Sequence, residues 1–193
     1  MKILVLGAGG SVGSHIVEEA RGRGHDVVAS TRETVDATDA ESISHAAAGN
    51  DAVISAVINR SEPETVVRVV QALLAARVPR TLVVGGAGTL EAQPGRLVMD
   101  LDDFNPDYRA EAQAHLDALH LLRQPDTAID WTVVTPPRSF DDSGRTGSYR
   151  TGGDELLLDA DGASRISLED FAVAFVDELE RPAHGRARFS VAY

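Results

Sequence analysis

Apolar residues along the chain follow two spacings that alternate. Short consecutive runs, such as Ile3 to Leu6, are typical of strands buried on both faces of a parallel sheet. Between these runs, apolar residues recur every three or four positions, as on one face of a helix. The predicted strands are 3–6, 27–30, a very short 34–36, 51–57, 81–84, 131–134 and 189–192. The predicted helices are 11–23, 40–48, one that begins at 61, 108–123 and 167–180.

Three of these helices carry start signals. Asp39 has the side chain of an N-cap residue before the second helix. Ser61 and Glu64 have the spacing of a capping box, and Ser167 and Asp170 form the capping pair of the last helix. The alternation of strands and helices predicts an α/β fold: a single Rossmann-like domain with a doubly wound parallel sheet and helices on both faces.

Two long segments, 86–107 and 138–165, interrupt the alternation, and each follows the carboxyl end of a strand. Ligands bind at that edge of an open α/β sheet, so the two loops are predicted to form a small substrate cap. Phe104 or Tyr108 could stack on a flat acceptor, or the first loop could simply be solvated. In the second loop, the candidates for binding an anionic substrate tail, such as the FMN phosphate, are Arg138, Arg145, Tyr149 and Arg150. Solvated arginines are the alternative.

Composition and charge exclude several classes of function. The chain has 193 residues, 30 acidic and 18 basic, and its net charge of -12 disfavours a nucleic-acid partner. Cysteine is absent, which excludes disulfides and thiolate chemistry and suits a reducing, cytoplasmic location. No apolar run has membrane-spanning length, the N-terminus does not resemble a signal peptide, and no histidine or carboxylate cluster has metal spacing. A monomer is expected by default, with a dimer left open.

A glycine-rich turn separates the first strand from the first helix. It comprises Gly7, Ala8, Gly9, Gly10, Ser11, Val12 and Gly13. Gly7 permits the tight exit from the strand, Gly10 leaves room for a pyrophosphate, and Gly13 allows the helix to pack closely on the sheet. The anion would then meet free amides at the helix N-terminus. Two alternatives are a tight turn without a ligand and a nucleophile elbow with Ser11 as nucleophile.

The end of the second strand indicates which dinucleotide binds. NAD-specific sites place a carboxylate there to bind the ribose 2′-hydroxyl. Here Thr31 occupies that position and Arg32 follows it, and a guanidinium can bind a 2′-phosphate. The sequence therefore favours NADP(H), although a shift of one residue would bring Glu33 near the ribose.

With these residues identified, the chain resembles the atypical short-chain dehydrogenase/reductases, in the branch of NmrA-like and biliverdin-reductase-B-like flavin reductases. The resemblance covers nearly the whole chain and is closest to small bacterial proteins labelled NADH-flavin reductases. Besides the glycine turn, the matching segments are Gly24 to Val28 leading to Arg32, Asp51 to Ala56, Val83 to Gly88, Thr135 to Pro137, and Ser164 to Ser167 with Glu169 and Asp170.

The resemblance implies roles for individual positions. Asp36 would lie near the adenine, although the chain is shorter than its relatives at the third strand. The remaining implied cofactor contacts are Ala56 and Val57 at the ribose, and Gly85, Gly86, Thr135 and Pro136 around the nicotinamide.

The Tyr-x-x-x-Lys pair used by most short-chain dehydrogenases is missing. Lys2 is the one lysine in the chain and lies in the first strand; Tyr108 is followed at that spacing by Ala112, and Tyr149 by Gly153. The remaining candidates for a proton donor are Tyr108, His115 and Tyr149. Direct hydride transfer from NADPH to a flavin or quinone needs no such pair. The alternative is a non-catalytic NADP(H) sensor of the NmrA-like type.

Overall fold

The structure is a computed structural model that describes residues 1–78 and 80–193. Its strands are β1 (Lys2–Leu6), β2 (Asp26–Ser30), β3 (Ala52–Ser55), β4 (Arg80–Val84), β5 (Glu91–Gln93), β6 (Arg96–Leu97), β7 (Asp130–Thr135), β8 (Ser139–Asp141), β9 (Arg150–Gly152), β10 (Arg165–Ser167) and β11 (Ala187–Ala192). Its α-helices are α1 (Ser11–Gly22), α2 (Ala40–Ala47), α3 (Thr65–Ala76), α4 (Arg109–Leu122) and α5 (Leu168–Glu180). Short 3-10 helices lie at Ala87–Thr89, Val98–Asp100 and Pro106–Tyr108.

The described residues form a seven-stranded central sheet in the order β2-β1-β3-β4-β7-β11-β9. Neighbouring strands are parallel except for β9, which pairs antiparallel with β11. The chain runs outward from β1 in both directions, so the predicted single Rossmann-like α/β domain is confirmed. The sheet order reverses between β1 and β3, and the carboxyl ends of these strands are where such a sheet binds ligands.

Two hydrophobic clusters cover the faces of the sheet. Ile3 and Val5 of β1 pack on the side of α1 and α5, where Phe171 contributes to the core. Leu4 and Leu6 of the same strand point to the other side, towards α3 and α4. The four β1 side chains after Lys2 are all buried, which explains why residues 3–6 are an unbroken apolar run.

The predicted short strand at 34–36 does not form, so that prediction is wrong. The Thr34 hydroxyl accepts the Thr31 amide at 3.0 Å, and the amides of Thr34 and Val35 both donate to the Thr31 carbonyl at 3.0 Å. These bonds close a turn directly after β2 and leave β2 as the edge strand of the sheet.

The predicted capping box at Ser61 is also wrong. The Ser61 amide donates to Asn59 Oδ1 at 3.2 Å, and the Thr65 amide donates to the Glu62 carbonyl at 2.9 Å. Residues 61–64 therefore form turns, and α3 begins one turn later, at Thr65. The other two start signals are confirmed, since the N-caps of α2 and α5 each accept a backbone amide.

The two long loops contain short strands that the sequence pattern did not predict. β5 and β6 form a hairpin in the first loop, and β8 of the second loop pairs with β10. The loops contact each other where the Leu156 amide donates to the Glu91 carbonyl and the Glu91 amide donates to the Asp154 carbonyl, both at 2.8 Å. Across residues 1–78 and 80–193, no helix has the length and apolar character needed to cross a membrane.

Candidate active site

Gly7 and Gly13 hold the turn between β1 and α1 in a close-packed form. Gly7 has φ +79°, and a Cβ at this position would lie 2.7 Å from the Ala56 carbonyl oxygen at the end of β3. A Cβ on Gly13 would lie 2.2 Å from the Gly7 carbonyl oxygen. Both distances are too short for a side chain, so glycine is required at these two positions to pack the helix against the strands.

Gly9 and Gly10 border open space instead. A Cβ on Gly10 would meet only the Gly7 carbonyl oxygen, at 3.4 Å, and one on Gly9 would meet Thr31 Cγ2 at 3.7 Å. Gly10 is the N-cap of α1, and no side chain caps the helix. The amides of Ser11 and Val12 therefore have no acceptor within the helix, which is the arrangement that binds phosphate groups.

A cavity of about 370 Å³ opens beside this turn. Its volume lies in the range of sites for small molecules and cofactors. It is lined by Leu6, Gly7, Gly9, Gly10, Ser30, Thr31, Arg32, Val35, Asp36, Ala37, Thr38, Ala56, Val57, Ile58 and Thr65. The structure thus brings together seven of the predicted cofactor residues, from the ends of β1, β2 and β3.

Arg32 lines the cavity with its guanidinium exposed. It forms no hydrogen bond or ion pair with any residue that the structure describes. Glu33 does not line the cavity; its amide donates to the Thr31 hydroxyl in the turn after β2. Of these two neighbouring residues, Arg32 borders the cavity and Glu33 does not.

Asp36 lies at the same end of the cavity. Hydrogen bonds from the Thr38 hydroxyl, at 2.7 Å, and from the Thr38 amide, at 2.9 Å, lower the pKa of its carboxyl group. Sequence reasoning missed Thr38, whose spacing two residues after an aspartate is the usual pattern of an Asx turn. The carboxylate is thereby fixed in position at the wall of the cavity.

The positions implied to surround a nicotinamide lie at the adjoining ends of β4 and β7. A Cβ on Gly85 would lie 2.5 Å from Thr135 Oγ1, so glycine lets the two strand ends approach. Thr135 is fully buried, and its Oγ1 has no hydrogen-bond partner among the described residues. Pro136 is buried beside it, and Gly86 follows Gly85 against α4. This group borders the cavity residues of β3 without lining the cavity itself.

The three proton-donor candidates have different environments. The Tyr108 ring is 45 % exposed at the start of α4, and the Arg60 guanidinium lies 5.6 Å from its centroid. His115 packs against Gly86 and is buried, and burial lowers its pKa to about 4. It is therefore neutral at pH 7, and it lies inside the fold and not on the surface of α4.

Tyr149 is excluded as a proton donor for a bound substrate. Its hydroxyl donates to Asp177 Oδ2 at 2.7 Å, on α5. Burial and this carboxylate both raise the pKa of the tyrosine. The partly buried side chain packs against the hydrophobic cluster on the α1–α5 side of the sheet, so the sequence prediction for Tyr149 was wrong.

The predicted substrate residues are engaged within the loops. Arg138 forms an ion pair with Asp103 at 2.9 Å, which ties the second loop to the first. Arg150 donates to the backbone carbonyls of Leu158 and Tyr193. Phe104 packs beside Gly88, whose Cβ would lie 3.4 Å from the ring. These contacts correct the expectation that the two arginines are available to an anionic substrate.

Comparison with known proteins agrees with this geometry. The family model described as NAD(P)H-binding matches residues 33–180. The chain belongs to this NAD(P)H-binding family. Over 99 % of its length it is 37 % identical to the uncharacterized protein YwnB of Bacillus subtilis (strain 168), of which it covers 98 %.

Two solved structures of similar proteins have the same fold over their whole length. One, a putative exported protein from Burkholderia pseudomallei, is 40 % identical with a TM-score of 0.90, and 100 % of each chain is covered. The other, a putative NADH-flavin reductase from Streptococcus pneumoniae TIGR4, is 32 % identical with a TM-score of 0.87, and the match covers 100 % of this chain and 99 % of that one. The family match and these two structures support the resemblance to the atypical short-chain dehydrogenase/reductases.

Proposed function

We propose that the protein binds NADPH and transfers hydride directly to a flavin or quinone-like acceptor. The observation that carries the choice of NADPH is the exposed Arg32 guanidinium, which lines the cavity without a protein partner. A carboxylate at this position would repel a 2′-phosphate, whereas a guanidinium binds it through charge-assisted hydrogen bonds. In the same complex, the free amides at the N-terminus of α1 would bind the pyrophosphate of the cofactor.

The residues present fit a nicotinamide dinucleotide that spans the carboxyl ends of β2, β1, β3 and β4. When bound, NADPH supplies a hydride, which delivers two electrons and one proton to the acceptor. Gly85 and Gly86 let β4 pack closely against Thr135 and His115, and the buried Thr135 hydroxyl has no hydrogen-bond partner among the described residues. With His115 neutral and Tyr149 tied to Asp177, we assign the second proton of a fully reduced acceptor to water.

Replacing Arg32 with alanine should weaken NADPH binding roughly 10- to 100-fold, because charged hydrogen bonds to the 2′-phosphate are lost. NADH affinity should change less than about twofold. Glu33→Ala is the matched control, since that side chain does not line the cavity. Dissociation constants measured by nucleotide fluorescence test this directly. A wild-type protein that binds NADPH and NADH equally would contradict the assignment.

Turnover should be visible as NADPH oxidation in the presence of FMN, riboflavin or a soluble quinone. Direct hydride transfer predicts activity that does not require a titrating side chain, so the rate should stay within about threefold from pH 6 to 8. The competing function is a non-catalytic NADP(H) sensor. Tight NADPH binding without oxidation by any of the three acceptors would favour the sensor.

The proposed partners are a small-molecule acceptor and no nucleic acid, in keeping with the net charge of -12. A monomer and a reducing compartment such as the cytoplasm belong to the same proposal; the absence of cysteine is compatible with that compartment.

A further inference from the structure

One cluster beside the cavity is not used by the proposed cofactor contacts. It consists of Arg60, Tyr108 and Glu111, which meet between the loop after β3 and the start of α4. Ile58, two residues before Arg60, lines the cavity, and its side chain is 48 % exposed. Because β3 and β4 are neighbouring parallel strands, the loops that follow them leave the sheet side by side. The cluster therefore lies close to the cavity-lining Ile58, on the β3 side of β1, whereas Arg32 follows β2 on the other side.

Arg60 differs from the other arginines considered at this edge of the sheet. Arg138 is paired with Asp103, Arg150 donates to carbonyl oxygens, and Arg109 donates to the Met99 carbonyl at 2.6 Å. The Arg60 side chain is 72 % exposed and forms no hydrogen bond with the part of the chain that the structure describes. Its one ionic contact joins Nε to Glu111 Oε2 at 3.4 Å. A guanidinium carries five N–H donors, so most of its binding capacity is unused.

Tyr108 and Ile58 provide exposed apolar surface close to the Arg60 guanidinium. The Arg60 guanidinium lies over the Tyr108 ring, which restricts where the charge can be. Tyr108 and Ile58 are two of the few large apolar side chains left exposed. A flat molecule can pack on such surfaces while an anionic group on it contacts the guanidinium.

We propose that Arg60 and Tyr108 bind a planar acceptor that carries a phosphate, and that Arg60 contacts the phosphate. The proposal rests on the proposed function and specifies its substrate class: a phosphorylated flavin in preference to the unphosphorylated one. Glu111 weakens binding of the phosphate, because its carboxylate competes for the same Arg60 guanidinium. Two substitutions should therefore act in opposite directions, which a purely structural role of the cluster would not produce.

The test compares FMN with riboflavin, which differ only in the phosphate. Binding is measured by flavin fluorescence with the protein saturated with NADP⁺, so the measurement does not depend on turnover. Arg60→Ala should raise the FMN dissociation constant about tenfold and change that of riboflavin less than twofold. Glu111→Gln should lower the FMN dissociation constant two- to threefold. NADP⁺ affinity should stay at the wild-type value in both variants.

Arg181→Ala is a closely matched control. Its side chain is 76 % exposed and lies 3.3 Å from Asp177, against 72 % and 3.4 Å for Arg60, but it follows α5 at the other edge of the sheet. It should leave both flavins unaffected. Equal binding of FMN and riboflavin by the wild type, or equal losses for both in Arg60→Ala, would overturn the inference. A wild type that prefers FMN but never reduces it would instead overturn the proposed function and leave this site standing.

Discussion

Gly13→Ala should destabilise the protein by about 3 kcal/mol and abolish measurable NADPH binding with it. The new Cβ would lie 2.2 Å from the Gly7 carbonyl oxygen and 2.9 Å from its carbonyl carbon. Both are backbone atoms, so α1 would have to move away from β1 and the turn would lose its shape. Overpacking of this kind typically costs about 1–3 kcal/mol, and backbone contacts put it at the upper end. Urea unfolding measures the loss of stability, and NADPH fluorescence measures the loss of binding.

Gly10→Ala separates packing from cofactor binding. Its φ of -82° suits any residue, and its Cβ would meet only one atom, at 3.4 Å. The variant should therefore stay within about 1 kcal/mol of the wild type. Its methyl group would nevertheless occupy space beside the α1 amides and weaken NADPH binding. If Gly13→Ala were as stable as the wild type, the packing argument would be wrong. If Gly10→Ala bound NADPH as tightly as the wild type, the pyrophosphate would not bind beside the α1 amides.

The glycine turn shows which parts of the site can be predicted from sequence. Gly7, Gly10 and Arg32 each stand within a few residues of a strand end, and the order of elements fixes which edge of the sheet those ends share. The apolar run at 3–6 and the periodicity of α1 thus place these residues around one cavity before any contact is known. Local pattern was sufficient because each role depends on backbone within a single βα unit.

The errors arose where a residue's partner lies far away in the sequence. Tyr149 binds Asp177, Arg138 binds Asp103, and Arg150 binds the carbonyl of Tyr193. No spacing rule relates these pairs, because they meet only after the two long loops fold against the sheet. Arg60 was missed for the same reason: Tyr108 and Glu111, which define its environment, come from another loop.

The failed strand at 34–36 and the failed capping box have local causes of another kind. Thr34 has a high propensity for strands, but its hydroxyl binds the Thr31 amide and closes a turn instead. Asn59 likewise takes the Ser61 amide before any helix can begin. In both places a short polar side chain offered the backbone a hydrogen bond that competed with regular structure.

Asp170→Ala should have the second large effect, because this carboxylate fixes the second loop to α5. Asp170 is 0 % exposed and accepts the amides of Thr146 at 3.0 Å and Gly147 at 2.8 Å. It also accepts the hydroxyl of Tyr193 at 2.8 Å and that of Thr146. Removing the carboxylate leaves these donors without a partner, and each buried donor left unsatisfied costs about 1–3 kcal/mol. Some of them can rotate to water, so the expected loss is about 3 kcal/mol in urea unfolding at pH 7.

The same carboxylate predicts a pH dependence. Burial opposes its ionisation, but the hydrogen bonds from Thr146, Gly147 and Tyr193 outweigh burial and lower its pKa below the ordinary value of 3.8. A group whose pKa is lower in the folded state stabilises the protein above the unfolded pKa. That contribution is lost as the pH falls below about 4 and through the folded pKa. The wild type should therefore lose stability over this range, whereas the contribution of this site should be missing from Asp170→Ala.

Tyr193→Phe is the control for the network around Asp170. It removes one hydroxyl, which also accepts the Ser167 amide at 3.2 Å, and leaves the carboxylate with Thr146 and Gly147, so it should cost about 1–2 kcal/mol, less than Asp170→Ala. Because the glycine turn lies in another βα unit, Asp170→Ala should keep NADPH affinity within about threefold while flavin turnover falls. That separation requires the second loop to be part of the acceptor site. Equal losses of NADPH binding and flavin turnover would instead mean that the second loop stabilises the whole domain and is not part of the acceptor site.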